Sequence, residues 1–157
     1  MDVISISQDP IDILPWCSDV EILLRKWCTD CQDRSVLHAR LSAIKKRKYR
    51  MLSIPSIIIP IAMASFSQLY SICNNYEAQV VNSLGYLVSG SLAGISGFLN
   101  YGNQYAQHAQ FEVLYYELHT EIECILSKPP FFRGHADVVL LNTRLTYDAL
   151  NKSSPDL

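Results

Sequence analysis

Residues 51–73 read MLSIPSIIIPIAMASFSQLYSIC, a run of 23 residues without a charge. A hydrocarbon core of about 30 Å needs roughly 20 helical residues to span it. The run is long enough, and Ile, Met, Leu and Phe fill its centre. Residues 78–101, AQVVNSLGYLVSGSLAGISGFLNY, are again uncharged. Gly85, Gly90, Gly94, Gly97 and four serines make this second run less apolar. Paired with the first it reads as the return leg of a hairpin. The expected spans are 51–73 and 80–102, with a polar turn at 74–79 (NNYEAQ). A soluble all-α core is the alternative, but a soluble helix normally turns one charged face to water. Pro55 and Pro60 would damage a soluble helix more than a membrane one. In lipid the carbonyls they free are satisfied by neighbouring helices and Ser hydroxyls.

The charge distribution agrees with this reading. The chain has 157 residues, 49% hydrophobic and 18% charged, with net charge −2 and mean hydropathy +0.10. That length fits one domain or a small helical unit. Nine of the thirteen Lys and Arg lie between Arg25 and Arg50, and residues 1–24 hold five acids and no base. A disordered tail and a disulfide mini-protein are excluded by composition. The small net charge speaks against a nucleic-acid partner. Residues 1–16 lack the basic and apolar regions of a secretory signal peptide, so the first span is expected to act as an uncleaved signal.

A basic collar, Lys45, Lys46, Arg47, Lys48 and Arg50, abuts the first span. The turn at 74–79 has no Lys or Arg, so the positive-inside rule puts the collar and both termini on the cytoplasmic side. The collar either sets topology and meets anionic headgroups or forms a specific ligand site.

Residues 18–50 read as a basic amphipathic helix running straight into the first span. Its stripe is Val20, Leu24, Trp27, Cys31, His38, Leu41 and Lys45, flanked by Leu23, Leu37 and Ile44, with Ser18 or Asp19 as N-cap. Residues 103–128 read as an acidic helix with the stripe Phe111, Leu114, Leu118, Ile122 and Ile125, ending before Pro129-Pro130. A C-terminal helix over 134–152 carries Val138, Leu141, Leu145 and Ala149. The hairpin makes the first two antiparallel neighbours. If Arg50 faces Tyr101 or Gly102, the common rise of about 1.5 Å per residue brings Arg40 to Glu112, Arg34 to Glu117 and Cys28 to Cys124. Such pairs fix register more than they stabilise. Residues 1–17 form either an extended arm, with Ile11, Leu14 and Trp16 as partner-docking anchors, or a frayed terminus.

Chemistry-bearing patterns are sparse. Five cysteines facing a reducing compartment imply free thiols. Cys28 and Cys31 form a lone CxxC without the second pair a zinc site needs. A three-thiol cluster with Cys124 is conceivable, and buried structural cysteines are the alternative. His108, Glu112, Tyr115, His119 and Glu123 share a helix face without forming HEXXH, which suits a solvated or interhelical polar face. His38 is expected to be a satisfied core histidine. Gly90, Ala93, Gly94 and Gly97 form a small-residue face for packing of the hairpin or for self-association. Asn151-Lys152-Ser153 matches a glycosylation sequon but falls on the cytosolic side. No phosphate loop or catalytic constellation is present in the sequence, so no enzyme, cofactor, metal or small-molecule substrate is expected.

A tryptophan-bearing basic helix ending in Leu37-His38, then Tyr49, then Ile54-Pro55-Ser-Ile-Ile-Ile59, then a Gly-rich second span, resembles the two-span proteins called SLATT. The C-terminal Arg144-Leu-Thr-Tyr147-Asp148-Ala-Leu150 and Ser154-Pro155 resemble the closing motif of the version found in large nucleocytoplasmic DNA viruses. The likeness covers most of residues 20–155. The Ser-Thr-Leu-Thr-Gly run usual in the first span is here Pro60-Ile-Ala-Met-Ala-Ser65. The resemblance implies one of two roles. Viral versions suggest a small structural protein tying a virion's internal membrane to capsid or core proteins. Bacterial ones suggest an oligomeric pore-forming effector, for which Asn82, Ser89, Ser91, Ser96 and Asn100 are the candidate lining residues. The expectation is therefore an all-α protein: a two-span transmembrane hairpin extended by long cytoplasmic antiparallel helices, plus a C-terminal helix. Its expected role is non-enzymatic and structural, in a virion internal membrane or host membrane. Its expected partners are the lipid bilayer, capsid or other membrane proteins, and further copies of itself.

Overall fold

A computed structural model describes residues 16–70 and 76–156. Ile11, Leu14 and the first two residues of the expected turn lie outside the described residues. Among the described residues the regular structure is entirely helical: α1 (Ser18–Tyr70), α2 (Tyr76–Leu99), α3 (Tyr101–Ser127) and α4 (Ala136–Ser153), with a 3₁₀ turn at Pro130–Phe132. Among the described residues one helix, within Ser18–Ser67, is long and apolar enough to cross a membrane.

α1 starts at Ser18, so the residue before it, Cys17, takes the cap position expected of Ser18 or Asp19. The Cys17 carbonyl accepts from the Glu21 N–H at 3.3 Å, so Ser18 and Asp19 are already helical. Asp19 and Glu21 lie in the first turn, where acids complement the helix dipole. α1 then continues through Pro55 and Pro60. α2 and α3 are separated by Asn100 alone, at φ 47°. Asn is among the few residues that tolerate this left-handed conformation. The break comes there, slightly earlier than the boundary at 102 expected from the charge pattern. α3 ends at Ser127, ahead of Pro129-Pro130, as the proline rule requires.

The chain divides into two compact units. One comprises Met1–Ser35 with Val113–Ser154, the other Val36–Glu112 with Pro155–Leu157.

The first unit has an ordinary apolar core. Val20, Leu24 and Cys31 of α1, Tyr115, Leu118 and Ile122 of α3, and Ala136 and Leu150 of α4 are buried. Each fully buried Leu or Ile contributes about 1.5–3 kcal/mol. The α4 stripe is corrected here. Val138, Leu141 and Leu145 are more than half exposed, and Ala136, Thr143 and Leu150 turn inward instead. Tyr147 and Asn151 explain the rotation. They lie on the same inner face and hydrogen-bond to Asp30 and Tyr115 respectively, so polar satisfaction orients α4.

The second unit is built the other way round. Among its described residues no apolar side chain is buried; the buried ones are His38, Ser89 and His108. Many of its large apolar side chains point outward, including Ile57 at 61% exposed, Ile61 at 63% and Leu87 at 68%.

Candidate functional site

The polar seam of the second unit begins with the two prolines. Pro60 has no N–H, so the Ser56 carbonyl one turn earlier loses its helical partner. Ser89 of α2 donates its hydroxyl to that carbonyl at 2.8 Å. Ser53 and Ser96 meet hydroxyl to hydroxyl at 3.2 Å. Asn82 also turns inward, and its buried Oδ1 has no hydrogen-bond partner.

The helices approach closely at glycines, though not at the expected ones. A Cβ at Gly85 would lie 2.8 Å from the Met63 side chain, and one at Gly102 would lie 3.2 Å from the Tyr49 ring. Gly90, Gly94 and Gly97 face open space, and Ala93 beside them is exposed. Of the two uses weighed for that face, packing within the hairpin is therefore excluded. The reason is register, because α2 turns Ser89 and Ser96 inward and so carries the small-residue face outward.

The basic collar divides between two faces of α1. Lys45 donates to the Gln104 amide oxygen at 2.7 Å, and the ammonium groups of Lys45 and Lys48 each lie 5.7 Å from the centre of the Tyr101 ring. Ring faces attract cations at this range. Lys46, Arg47 and Arg50 instead line an open groove with Ala43, Met51, Ile54 and Pro55.

Also within this unit, the Nδ1 atoms of His38 and His108 lie 3.0 Å apart, so one ring donates and the other accepts. His38 also packs against Phe111, at 5.9 Å between ring centres. Burial, and secondarily the charge of Lys45, lowers the His108 pKa from its ordinary value.

In the first unit Arg34 reaches back one turn to Asp30, Nε to Oδ2 at 2.9 Å, and stacks 5.9 Å from the Tyr115 and Tyr147 rings. The expected Arg34–Glu117 pair is not among the ion pairs of the described residues, and neither is Arg40–Glu112; Arg40 is exposed. The antiparallel order is present, since Cys28 meets His119 while Arg34 meets Tyr115. It is displaced from the expected register by two residues at Arg34 and by five at Cys28, which faces His119 instead of Cys124. The contacts at these positions are guanidinium to ring and sulfur to imidazole, not ion pairs between the helices.

Cys28 Sγ is 3.1 Å from His119 Nδ1, and that nitrogen also lies 3.0 Å from the Cys28 carbonyl oxygen. A carbonyl only accepts, so Nδ1 carries the proton and cannot take one from the thiol. Burial, then Glu123, raises the Cys28 pKa, and Cys31 is pushed up to about 12. Neither is an activated nucleophile. Cys124 is exposed, and the three thiols do not cluster; among the described residues no group of three or more His, Cys, Asp or Glu is placed to hold a metal ion.

Trp16, expected to dock a partner, is engaged within its own unit. Its indole N–H donates to the Gly134 carbonyl at 2.8 Å, and Arg133 lies 5.1 Å above its ring. Arg133 also bonds the Glu21 carboxylate and the Leu126 carbonyl, tying the start of α1 to the end of α3. The sequence signals this clasp only by an Arg directly after the apolar Pro129–Phe132 stretch.

The chain matches no protein-family model, no curated protein and no solved structure.

Proposed function

We propose that the chain is a non-enzymatic integral membrane protein whose hairpin, from the collar through α2, crosses a bilayer twice with both termini on the cytoplasmic side. One observation carries this reading: among the described residues of the two expected spans only Ser89 is buried, while Ile57, Ile61, Leu87 and Phe98 turn outward. In water that arrangement forfeits the main driving force of folding. In lipid it costs nothing, because helix contacts there rest on packing, small residues and hydrogen bonds.

Within the membrane a structural role, linking a virion's internal membrane to capsid or core proteins, is the favoured reading. The closing motif that resembles the viral version supports it, as do the outward Val138, Leu141 and Leu145 and the exposed Phe131, which suit a protein partner. The second reading is an oligomeric pore of the SLATT type. The outward Gly90, Ala93, Gly94 and Gly97 favour self-association. Ser89 and Ser96, however, are bonded inside the hairpin and so are withdrawn from any channel between copies.

Quantifying the chain in purified particles and in liposomes separates the two roles. A fixed copy number with crosslinks to capsid or core protein supports the linker. Closed rings that conduct ions overturn it in favour of the pore.

A further inference from the structure

The two faces of the collar have different surroundings. Lys45 and Lys48 are taken up by Tyr101 and Gln104. Ala43, Lys46, Arg47, Arg50, Met51 and Ile54 follow the three-and-four spacing of a single helical stripe, and with Pro55 they line one open groove of about 510 Å³.

Among the described residues no carboxylate pairs with the cationic end of this groove. Residues 34–76 contain no Asp or Glu. Lys46, Arg47 and Arg50 make no ion pair, hydrogen bond or ring contact among the described residues. One turn further along α1 the same stripe becomes purely apolar at Met51, Ile54 and Pro55. Ala43, with a single methyl group, leaves the upper end open.

We infer that the stripe formed by Lys46, Arg47 and Arg50 above Met51, Ile54 and Pro55 is a binding site for one anionic phospholipid. Two guanidinium forks and an ammonium group surround the phosphate, which Arg binds bidentately. The glycerol and first acyl methylenes lie on Met51, Ile54 and the Pro55 ring. This chemistry selects an amphiphile over a free phosphate or a nucleic acid, because the apolar half of the groove would otherwise face the bilayer empty. The inference rests on the membrane placement proposed above. It goes beyond a diffuse basic collar by assigning the affinity to one face.

The test uses the full chain reconstituted in phosphatidylcholine bilayers containing spin-labelled phosphatidylglycerol, with spin-labelled phosphatidylcholine as the reference. The motionally restricted fraction of each label is read by electron paramagnetic resonance. The chain is expected to restrict phosphatidylglycerol preferentially. The Lys46→Gln/Arg47→Gln/Arg50→Gln variant loses that preference, at about fivefold per cation removed. Lys45→Gln/Lys48→Gln keeps it. Ala43→Trp, which fills the groove and leaves every charge in place, also loses it, so the result does not depend on the charge-deleted variant folding normally. Equal loss in the two charge variants, or no preference in the parent chain, overturns the site while leaving membrane placement intact. A chain that stays in the aqueous phase during reconstitution overturns the placement itself and the site with it.

Discussion

The hydroxyl of Ser89 lies 2.8 Å from the backbone carbonyl of Ser56, the one carbonyl that Pro60 deprives of its helical N–H. A proline inside a helix costs about 3 kcal/mol or more, partly through that orphaned acceptor. Here the return helix supplies the missing donor. The proline and the serine therefore form one unit, and either alone would be a defect.

Ser89→Ala leaves the Ser56 carbonyl buried without a donor. It is expected to destabilise the hairpin by about 0.6–1.7 kcal/mol, the range of interhelical hydrogen bonds in lipid. Pro60→Ala returns the helical N–H to Ser56, so Ser89→Ala costs much less in that background. Unfolding in mixed micelles by sodium dodecyl sulfate, run as a double-mutant cycle, measures the coupling. Additive effects would show that the contact is incidental.

The glycines separate into two classes by what surrounds them. Gly85→Val drives a branched side chain into Met63, and an overpacking cost of about 1–3 kcal/mol is expected. Gly94→Val points into open space, leaves the hairpin's unfolding midpoint unchanged and weakens self-association of the chain in detergent. Crosslinking yield at matched detergent concentration reads the second effect.

The burial of His108, and secondarily the charge of Lys45, makes stability depend on pH. The folded-state pKa of His108 lies below its ordinary 6.5, so the unfolded chain binds more protons in the window below that value. Stability is full above about 6.5 and falls as pH drops through the folded-state pKa. Lys45 pushes in the same direction, and protonating both rings sets N–H against N–H at 3.0 Å. His108→Gln is expected to flatten the slope between about pH 5 and 7, measured by denaturation at a series of pH values. An unchanged slope would place the titrating group elsewhere.

Thiol reactivity should follow burial. Cys31, fully buried with its pKa pushed up to about 12, is expected to resist maleimide at neutral pH, whereas exposed Cys17 and Cys124 react first. Mass spectrometry of the labelled chain ranks the sites. Rapid labelling of Cys31 in the folded chain would contradict the packing of the first unit.

Much of the helical layout is legible in the sequence because it depends on local rules. Proline ends α3, charge-free runs mark the apolar helices, and acids sit in the first turn of α1. What escapes is rotation about the helix axis and register between helices. The outward turn of Val138, Leu141 and Leu145 depends on Tyr147 and Asn151 finding polar partners far along the chain. The Arg34–Glu117 pair does not form, and Arg34 bonds instead to Asp30 one turn away on its own helix. The small-residue face at Gly90 and Gly94 is plain in the sequence. Which way it points is decided by Ser89, whose role appears only once the carbonyl freed by Pro60 has been counted.

The most direct test of the two-span hairpin is the side of the membrane on which each end of the chain lies. Sealed vesicles of defined orientation, carrying protease-cleavable tags at both termini and a single reactive cysteine introduced by Glu77→Cys in a background with the native thiols removed, report all three positions at once. The account predicts both tags cleaved from the cytoplasmic side and the cysteine labelled only from the opposite side. Tags on opposite sides, or a cysteine labelled from the same side as the tags, would contradict it.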